Sequence, residues 1–448
     1  MPASSIVKHS SSARLPRVVV LGAGFAGLNF CKQFPDNVAR ITVVDRQNHH
    51  LFQPLLYQVA TAGLAAPDIA QPIRTILRKK RHLDIRLAEV RSIDLAGKRV
   101  LLDNGALVYD YLVIALGGRT SYFGRDEWEA AAPGLKSLDD ALAIRRRILL
   151  SFERAETETN EARRRELMTA VVIGAGPTGV ELAGTFAELG RRVLRRDFDH
   201  IDPAQSRVIL VEGAPRVLPL FPDELSASAQ RQLEALGVEV RLGQMVKNLR
   251  EGEVELPDET IRAGTIIWAA GVGAVPVTRS LDCETDRAGR LKVLPDLSLP
   301  GHPEAFAAGD LVVLQDAKGR VVPGVAPAAM QMGRHIAKTI RDELRSHAPA
   351  AGAGGTKKKA RERKAFVYTD KGSLATIGRS SAVAQVGRLR FSGLVAWLAW
   401  LGVHLIFLIG LRNRISVFLS WMYSYLAYKP GARIITGLGS PPAGRPPP

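Results

Sequence analysis

Two short glycine-rich turns carry the clearest chemical signal in the sequence. The segments VVVLGAGFAGLNF (18–30) and VVIGAGPTGVELAG (171–184) each pass from an apolar strand pattern into a helix pattern. In such a turn the first glycine permits a tight bend, the second lets backbone N–H groups approach a phosphate, and the third brings helix against strand. The glycines are Gly22, Gly24 and Gly27 in the first turn and Gly174, Gly176 and Gly179 in the second. Each turn predicts a site for the pyrophosphate of a dinucleotide.

After each turn a second strand pattern follows and ends in an acid. Asp45 ends ARITVVD, and Glu212 ends SRVILVE. A carboxylate at this place accepts hydrogen bonds from a ribose hydroxyl and repels a 2′-phosphate, so the second turn is predicted to bind NADH rather than NADPH. Arg216, four residues beyond Glu212, argues against that preference. Alternatively, both acids are solubilising groups at strand ends.

Three further segments predict that the first turn holds FAD. Apolar strand patterns break into glycines at 109–124, which contains Gly117, and at 266–276, which contains Gly271. Such breaks are typical of points where a chain passes from one nucleotide domain to another. In PEAFAAGDLV (303–312), Asp310 is predicted to start a helix and to reach the ribityl chain or the pyrophosphate. A plain helix N-cap is the alternative role for this residue.

Length and cysteine content limit the architecture that must position these turns. A chain of 448 residues with 46% apolar side chains predicts about three domains. Two cysteines, Cys31 and Cys283, provide neither a disulfide framework nor a cysteine-rich metal site, and no histidine spacing suggests a metal. The N-terminus has no apolar secretory core. We therefore expect a reducing compartment, no export and no bound metal.

The charge distribution points to a membrane surface. The net charge is +17, and nine basic side chains follow Asp370 in a region without Asp or Glu. A basic face attracts nucleic acid and anionic lipid alike. Basic residues interleaved with stacking platforms, as in nucleic-acid binders, are not seen elsewhere in the chain, whereas apolar length is. The sequence thus predicts an anionic bilayer surface as a partner and no nucleic acid.

Two C-terminal segments supply that apolar length. Residues 391–411 have no charge and one ionisable group, His404, and are interpreted either as a membrane span or as a core helix. From Arg412 to Arg433, apolar and aromatic side chains at helical spacing lie between basic ends, which is typical of a helix in the membrane interface. Packing on the body, or on a second copy in a homodimer, would give the same pattern. The apolar and aromatic side chains of this second segment are Ile415, Phe418, Leu419, Trp421, Met422, Tyr423, Tyr425, Leu426 and Tyr428.

Together these segments resemble the two-dinucleotide-binding-domain flavoproteins of the pyridine-nucleotide reductase superfamily, over residues 16 to 345. The predicted fold class is α/β, with two Rossmann-like domains, an FAD domain and an inserted NADH domain, and a C-terminal membrane-associating helical region. The predicted divisions are 16–135 and 276–345 for the FAD domain, 136–275 for the NADH domain, 346–364 for a flexible basic loop, 365–437 for the membrane-association region and 438–448 for a disordered tail.

A narrower resemblance rests on HLFQPLLYQVA (50–60) and on the segments 322–338, 366–379 and 411–437. They are similar to the type II NADH dehydrogenases, the single-subunit, non-pumping NADH:quinone oxidoreductases. Disulfide reductases and sulfide-oxidising quinone reductases depend on more than one cysteine at the active site, and Cys31 and Cys283 are 252 residues apart. The resemblance therefore favours electron transfer from flavin to an acceptor that needs no thiol.

The resemblance also implies roles for particular residues. Gln53, Pro54, Leu55 and Tyr57 would lie beside the isoalloxazine. The family pattern AQxAxQxG begins here at Ala326 and has Pro327 in place of its first glutamine. Gln331 keeps the second glutamine and is predicted to contact a quinone carbonyl. Glu181, on the first turn of the helix after Gly179, is predicted to assist hydride transfer or to supply protons; a helix-terminal acid without catalytic part is the alternative.

The implied activity is that of a peripheral flavoenzyme at the cytoplasmic face of the cell membrane. It would take hydride from NADH with non-covalently bound FAD, reduce a membrane quinone and pump no protons. Two other interpretations stay open. One is an NADH-dependent reductase of a soluble electron carrier, with the basic C-terminal region as its docking face, and the other is a membrane-bound NADH-sensing scaffold.

Overall fold

The computed structural model of the protein describes residues 14–347, 362–427 and 432–436. The chain forms two compact units. The first unit contains Met1–Asn48, Pro72–Gly118 and Ala274–Thr369, and the second contains His49–Gln71, Arg119–Gly273 and Asp370–Pro448. Most of the basic loop predicted at 346–364, and all of the tail predicted at 438–448, lie outside the described residues.

Capping side chains mark the start of some of the α-helices. Ser137, for example, is the N-cap of the helix Leu138–Thr157, and its side chain accepts a hydrogen bond from the Asp140 N–H at 3.1 Å in a capping box. Short 3₁₀ or π turns occur at Gln53–Leu55, Asp126–Glu129, Leu189–Val193, Pro203–Gln205 and Pro276–Ser280. The α-helices are α1 Phe25–Gln33, α2 Leu56–Ala60, α3 Ala66–Ile69, α4 Ile73–Leu77, α5 Leu138–Thr157, α6 Glu161–Leu167, α7 Pro177–Glu188, α8 Asp223–Ala235, α9 Ala326–His347, α10 Gly393–Phe407 and α11 Leu411–Ala427.

The core of the first unit is a six-stranded sheet. Its strand Arg17–Leu21 pairs in parallel with Arg40–Asp45 on one side and Tyr111–Ile114 on the other. This strand is buried from Val18 to Leu21, as expected for a parallel sheet that is covered on both faces. The spatial order is Ser298–Leu299, His302–Ala307, Tyr111–Ile114, Arg17–Leu21, Arg40–Asp45 and Leu83–Leu87. Val90–Asp94, Arg99–Leu102 and Gly105–Val108 form an antiparallel sheet, and Leu291–Lys292 pairs with Val312–Val313.

The second unit contains a four-stranded parallel sheet with the strand Thr169–Ile173 inside it. All five residues of this strand are buried. The spatial order is Val238–Leu242, Arg207–Glu212, Thr169–Ile173 and Thr265–Trp268. Two antiparallel sheets belong to the same unit, one of Asn248–Arg250, Glu253–Glu255 and Thr260–Arg262, and one of Ser373–Gly378, Ser381–Val386 and Leu389–Ser392. Further short strands are His49–Leu51, Ala70–Pro72, Gly118–Thr120 and Val272–Ala274.

Each unit therefore has its own parallel sheet with helices, and the predicted α/β class with two Rossmann-like domains is confirmed. The compact units divide after Gly118 and Gly273, whereas the sequence places divisions after residues 135 and 275. Residues 49–71 belong to the second unit although the sequence places them in the FAD domain. Their helices pack there: α2 lies against α5, and the Ser416 hydroxyl on α11 donates to Asp68 on α3 at 2.7 Å.

The apolar run 391–411 is divided among three elements. A strand ends at Ser392, α10 covers 15 residues, and the chain then turns at Gly410, whose φ is +90°. Fifteen helical residues rise about 22 Å, short of the roughly 30 Å of a bilayer core. Among the described residues, no helix combines the length and the apolar character needed to cross a membrane. The membrane-span interpretation of this run is thus wrong.

The second C-terminal segment forms a helix over most of its predicted length. Helix α11 covers Leu411–Ala427, while residues 428–431 lie outside the described part and 432–436 are not helical. Helices α10 and α11 bury one set of side chains, including Trp400 and Trp421, and expose a second, apolar set. The exposed set is Leu394, Val395, Leu398, Ile406, Phe407, Leu411, Ile415, Phe418, Leu419, Met422 and Tyr423.

Helix α7 packs on the strand Ser373–Gly378 through a glycine. A Cβ added at Gly184 would lie 1.5 Å from the carbonyl oxygen of Ile377. We expect Gly184→Ala to lower the thermal unfolding midpoint of the holoenzyme by at least about 2 °C, because overpacking such a contact costs about 1–3 kcal/mol.

Gly402→Ala is the matched control for calorimetry. Gly402 lies inside α10, and a Cβ there would meet no atom within 4 Å. Alanine gains about 0.5–1 kcal/mol over glycine in a helix, so this midpoint should stay level or rise. Equal falls for the two variants would contradict the steric explanation.

Candidate functional site

The first glycine turn is built by close backbone contacts. Gly22 has a φ of +96°, and a Cβ there would lie 2.3 Å from the Ala115 carbonyl oxygen. A Cβ at Gly27 would lie 1.9 Å from the Gly22 carbonyl oxygen, so only glycine lets α1 pack on the turn. A Cβ at Gly24, by contrast, would meet nothing within 4 Å. The middle glycine thus faces open space where a phosphate can approach the backbone.

Asp45 holds this turn from the end of the neighbouring strand. One carboxylate oxygen accepts from the Ala23 N–H at 2.7 Å, and the other accepts from the Gln47 N–H at 2.8 Å. The Gly22 N–H donates to the Val44 carbonyl at 2.7 Å. No side chain caps α1 at Gly24, where a Cβ would meet only open space. The start of a helix favours an anion through the helix dipole and its backbone N–H groups.

The second glycine turn repeats the same construction. Gly174 has a φ of +100°, a Cβ at Gly179 would lie 1.8 Å from the Gly174 carbonyl oxygen, and a Cβ at Gly176 would meet nothing within 4 Å. Glu212 accepts from the Ala175 N–H at 2.6 Å and from the Ala214 N–H at 2.8 Å. Helix α7 likewise starts without a side-chain cap at Gly176. Both turns therefore offer a pyrophosphate the same backbone donors.

Other predicted residues of the first unit lie at the same edge of its sheet. Gly22, Gly117 and Gly309 follow three neighbouring parallel strands at their carboxyl ends, where open α/β sheets bind ligands. Asp310 follows Gly309 in a turn, and the next α-helix, α9, begins only at Ala326. The expectation that Asp310 starts a helix is therefore wrong, although its place beside the sheet edge agrees with a ligand contact. In the second unit, Gly271 has a φ of +82° and packs against Phe123.

Helix α7 carries two acids, buried Glu181 and half-buried Glu188, on the face that meets the C-terminal sheet. Glu181 is 9% exposed, and burial raises its pKa well above the ordinary range. Burial also raises the pKa of Glu188, although this carboxylate accepts from the Arg379 N–H at 2.9 Å. Gly184 lies between them, against Ile377. Glu181 thus holds its proton to a higher pH than a surface glutamate does.

The segment predicted to adjoin the flavin ends in a buried hydrogen-bond chain. Gln53 is exposed and donates to the Lys136 carbonyl at 3.2 Å, while Leu55 is fully buried. Pro54 lies between them in the short 3₁₀ turn. The Gln58 amide donates to the Tyr57 hydroxyl at 2.9 Å and accepts from the Trp421 indole N–H at 2.7 Å.

Aromatic rings complete this cluster. Sequence reasoning named Tyr57, His404 and Trp421 but not Trp400, and it did not predict that these rings meet. His404 stacks on Trp400 with ring centroids 4.2 Å apart, and Trp400 also contacts Tyr57 and Trp421. Burial lowers the pKa of His404 to about 4. The buried histidine and the spacing of Trp400 and Trp421 on two apolar helices were the available signals. These signals predict that the two helices pack on the protein, but they do not identify the residues against which the helices pack.

Gln331 lies on α9 and makes two bonds to one residue. Its amide donates to the Thr369 carbonyl at 2.9 Å, and its carbonyl accepts from the Thr369 N–H at 2.9 Å. The side chain thereby fixes the segment that ends the first unit. Over the residues that the structure describes, no group of three or more His, Cys, Asp or Glu side chains is arranged to hold a metal ion.

The predicted residues thus fall into two sets. The first unit brings together the first glycine turn, Asp45, Gly117 and Asp310 near one sheet edge, with Gln331 on the helix that packs on α1. The second unit contains the second glycine turn, Glu181, Glu212, Gly271 and the segment Gln53–Leu55.

Two family models match this chain, one over its dinucleotide-binding region and one over its C-terminal region. Residues 16–333 match the pyridine nucleotide-disulphide oxidoreductase family, and residues 371–428 match the NDH2 C-terminal domain. The chain is 44% identical over 436 residues to the type II NADH:quinone oxidoreductase Ndh of Mycobacterium tuberculosis, covering 94% of this chain and 91% of the relative. It is 30% identical to the type II NADH:quinone oxidoreductase of Staphylococcus haemolyticus, covering 83% of this chain and 89% of the relative.

Solved structures show the same fold at lower identity. NDH2 from Plasmodium falciparum in complex with NADH is similar with a TM-score of 0.84 at 19% identity, over 95% of this chain and 100% of that chain. The sulfide:quinone oxidoreductase of Aquifex aeolicus is similar with a TM-score of 0.67 at 16% identity, over 92% of this chain and 95% of that chain. At these identities the likeness concerns the fold.

The raised pKa of Glu181 predicts a pH-dependent stability. A carboxyl whose folded pKa is raised contributes stability fully below its unfolded pKa, near 4.5, and loses it as pH rises toward the folded value. Glu181→Gln lacks this loss, so its unfolding midpoint should rise relative to wild type between about pH 5 and pH 8. Scanning calorimetry across this range measures the difference.

Glu224→Gln is the control for that series. Glu224 is a largely exposed acid, with 77% side-chain exposure, in the first turn of α8. The effect of Glu224→Gln on the midpoint shows what the loss of an exposed carboxylate does by itself. A Glu181→Gln difference that grows no more with pH than the Glu224→Gln difference would contradict the assigned burial effect.

Proposed function

The chain belongs to the type II NADH:quinone oxidoreductase family, and from this premise we propose that it oxidises NADH and reduces a membrane quinone without pumping protons. The observation that carries the proposal is the pair of glycine turns, each held by a strand-end carboxylate through the same backbone bonds. Bound FAD would supply the redox chemistry, which is hydride acceptance from NADH and two-electron transfer to quinone. One chain with two dinucleotide turns has a place for both FAD and NADH.

The residues of the first unit fit FAD. Gly24 leaves open space beside the uncapped start of α1, which is what a pyrophosphate requires. We assign FAD binding to Gly22, Gly24, Gly27, Asp45, Gly117 and Asp310. NADH binding is assigned to Gly174, Gly176, Gly179, Glu212 and Gly271. Gln53, Pro54 and Leu55 are proposed flavin neighbours.

Two polar side chains are proposed to serve quinone reduction. Reduction of a quinone to a quinol consumes two protons, and the raised pKa of Glu181 keeps a proton on a buried carboxyl. Gln331 is proposed to contact a quinone carbonyl. The amide NH2 has two donors, so Gln331 can make that contact with one N–H while the other stays bonded to the Thr369 carbonyl. Glu181 therefore acts as a proton source, and Gln331 as an orienting donor.

The C-terminal helices give the enzyme its access to a lipophilic substrate. Helices α10 and α11 expose large apolar side chains such as Leu411 and Phe418, which are 73% and 51% exposed. An apolar helix face of this kind lies in the membrane interface rather than in water. The enzyme is thus a peripheral membrane protein that meets quinone at the bilayer surface.

The finer features of membrane attachment are part of the proposal. Free Cys31 and Cys283 agree with a reducing compartment and hence with the cytoplasmic face of the cell membrane. Arg412, exposed at the start of α11, supports a preference for anionic lipid. A homodimer through the same apolar helices is the alternative occupant of this face, and light scattering in detergent distinguishes it from a lipid-bound monomer.

Membrane attachment is tested by charging the exposed face of α11. The double change Leu411→Glu with Phe418→Glu should weaken vesicle binding by at least about tenfold, because each apolar side chain gains about 1.5–3 kcal/mol on burial. Turnover of a long-chain quinone in liposomes should fall with it, while NADH oxidation by a water-soluble quinone should persist.

Val108→Glu is the matched control, since Val108 is 46% exposed on the antiparallel sheet of the first unit. It should leave vesicle binding as in wild type. Wild-type turnover of the long-chain quinone by the α11 variant would contradict the proposal. Efficient reduction of a soluble carrier protein with no quinone turnover would favour the carrier-reductase alternative.

Coenzyme preference is tested at Glu212. Glu212→Gln removes the charge that repels a 2′-phosphate while keeping an acceptor for the Ala175 N–H. The ratio of kcat/KM for NADPH to that for NADH should rise by about tenfold, equivalent to 1.4 kcal/mol. Steady-state rates with a water-soluble quinone give the ratio, and an unchanged ratio would remove the assignment of Glu212 to the ribose.

A further inference from the structure

The loop 213–222, which follows Glu212, is fixed beside the second glycine turn. Ala175 of that turn donates its N–H to Glu212 at 2.6 Å and accepts from the Leu218 N–H at 2.8 Å. The loop is therefore attached to the turn at two points, one before and one after Arg216. Whatever binds at the turn and at Glu212 lies close to this loop.

The backbone around Arg216 is also held rigidly. Val217 and Leu218 are fully buried, and Leu218 has a φ of +47°, which fixes a tight bend. The Ser226 hydroxyl on α8 donates to the Val217 carbonyl at 2.5 Å, and the Phe221 N–H donates to the Leu218 carbonyl at 2.8 Å. The long side chain of Arg216 is partly exposed and can change its partner without a change in this backbone.

That side chain is bonded to its own loop. The guanidinium forms an ion pair with Asp223, the first residue of α8, and donates to the Pro219 carbonyl at 2.9 Å. Near a ribose, an arginine is the group that accommodates a 2′-phosphate in NADP enzymes, through paired N–H donors. Here both terminal nitrogens of the Arg216 guanidinium are already engaged, one with Asp223 and the other with the Pro219 carbonyl.

We propose that Asp223 is a specificity-determining positioning residue, which keeps Arg216 from a 2′-phosphate and so supports the preference for NADH. This inference rests on the proposed binding of NADH at the second turn. Glu212 repels the phosphate, and Asp223 holds the one nearby cation of this loop that would attract it. The chain thus contains a latent 2′-phosphate contact.

The exposure of the ion pair decides how large the effect is. The side chains of Arg216 and Asp223 are 37% and 89% exposed, and an exposed pair shifts an equilibrium by only about fivefold or less. The carboxylate of Glu212 stays next to the ribose whatever Arg216 does. Release of Arg216 therefore strengthens binding of a 2′-phosphate mainly when residue 212 is neutral. The effects of changes at Glu212 and Asp223 are thus coupled.

A double-mutant cycle on the full-length holoenzyme tests this coupling. The variants are Glu212→Gln, Asp223→Asn and their combination, and the probes are 2′-phospho-ADP-ribose and ADP-ribose, titrated by calorimetry. Relative to Glu212→Gln alone, the combination should bind the phosphorylated probe about threefold to fivefold more tightly, with a smaller gain from Asp223→Asn in the wild-type background. The NADPH to NADH ratio of kcat/KM should follow the same order.

Three further variants separate the proposed role from a general loss of charge. Glu224→Gln, in the same helical turn, removes an acid that pairs with Arg390 at 2.9 Å instead of Arg216, and it should give no gain in the Glu212→Gln background. Arg216→Gln added to the combination should abolish the gain. Asp223→Ser, which removes the charge with a smaller side chain, should reproduce it.

The outcomes distinguish this inference from the proposed function. A gain that survives Arg216→Gln, or no gain from either Asp223 variant, overturns the role of Asp223 while leaving NADH oxidation intact. A wild-type enzyme that binds ADP-ribose but oxidises no NADH contradicts the proposed function, and the calorimetric cycle still reports on Asp223.

Discussion

The structure depends on one repeated interaction, the hydrogen bond from a backbone N–H of a glycine turn to a carboxylate at the end of the next strand. Asp45 accepts from Ala23, and Glu212 accepts from Ala175. A charged acceptor makes such a bond shorter and stronger than a neutral one does. It fixes the turn in the conformation that its positive-φ glycine permits. The following helix then begins beside the turn with no side-chain cap, and each proposed dinucleotide site is formed by the protein's own bonds.

Burial raises the pKa of Glu181 on α7 in the second unit. Desolvation disfavours the charged carboxylate, so Glu181 retains a proton beyond the range of a surface acid. The cause lies in packing: Gly184 allows the helix to approach the strand Ser373–Gly378, and this strand covers Glu181 and Glu188. The C-terminal sheet therefore raises the pKa of an acid on the helix that begins at the second glycine turn.

The C-terminal helices α10 and α11 have one face packed on the protein and one exposed apolar face. Their inner side chains Trp400, His404 and Trp421 form a cluster with Tyr57. The Gln58 side chain links Trp421 to Tyr57 by hydrogen bonds. Their outer side chains are apolar and exposed. A helix that is apolar all round would suit a bilayer span, but the turn at Gly410 ends α10 after 15 residues. Attachment at the membrane surface follows from this division.

Sequence alone determined the features that depend on short-range spacing. Two glycine turns, each with a strand-end acid, predicted two dinucleotide domains because the offsets of three glycines encode a bend, a phosphate approach and a helix contact within six residues. The same local logic predicted the helix that became α11. The composition of the run 391–411, with one histidine and no charge, left two structures open because hydropathy does not record where a helix ends.

Tertiary structure decided every contact between distant residues. Asp310 lies in a turn and not at a helix start, Gln331 is bonded to Thr369, and Glu181 is covered by a strand almost 200 residues further along the chain. Arg216 read from sequence weakens the preference for NADH, yet its ion pair with Asp223 supports that preference. A side chain's partners are set by the packing of whole elements, and its charge has a functional meaning only once those partners are known.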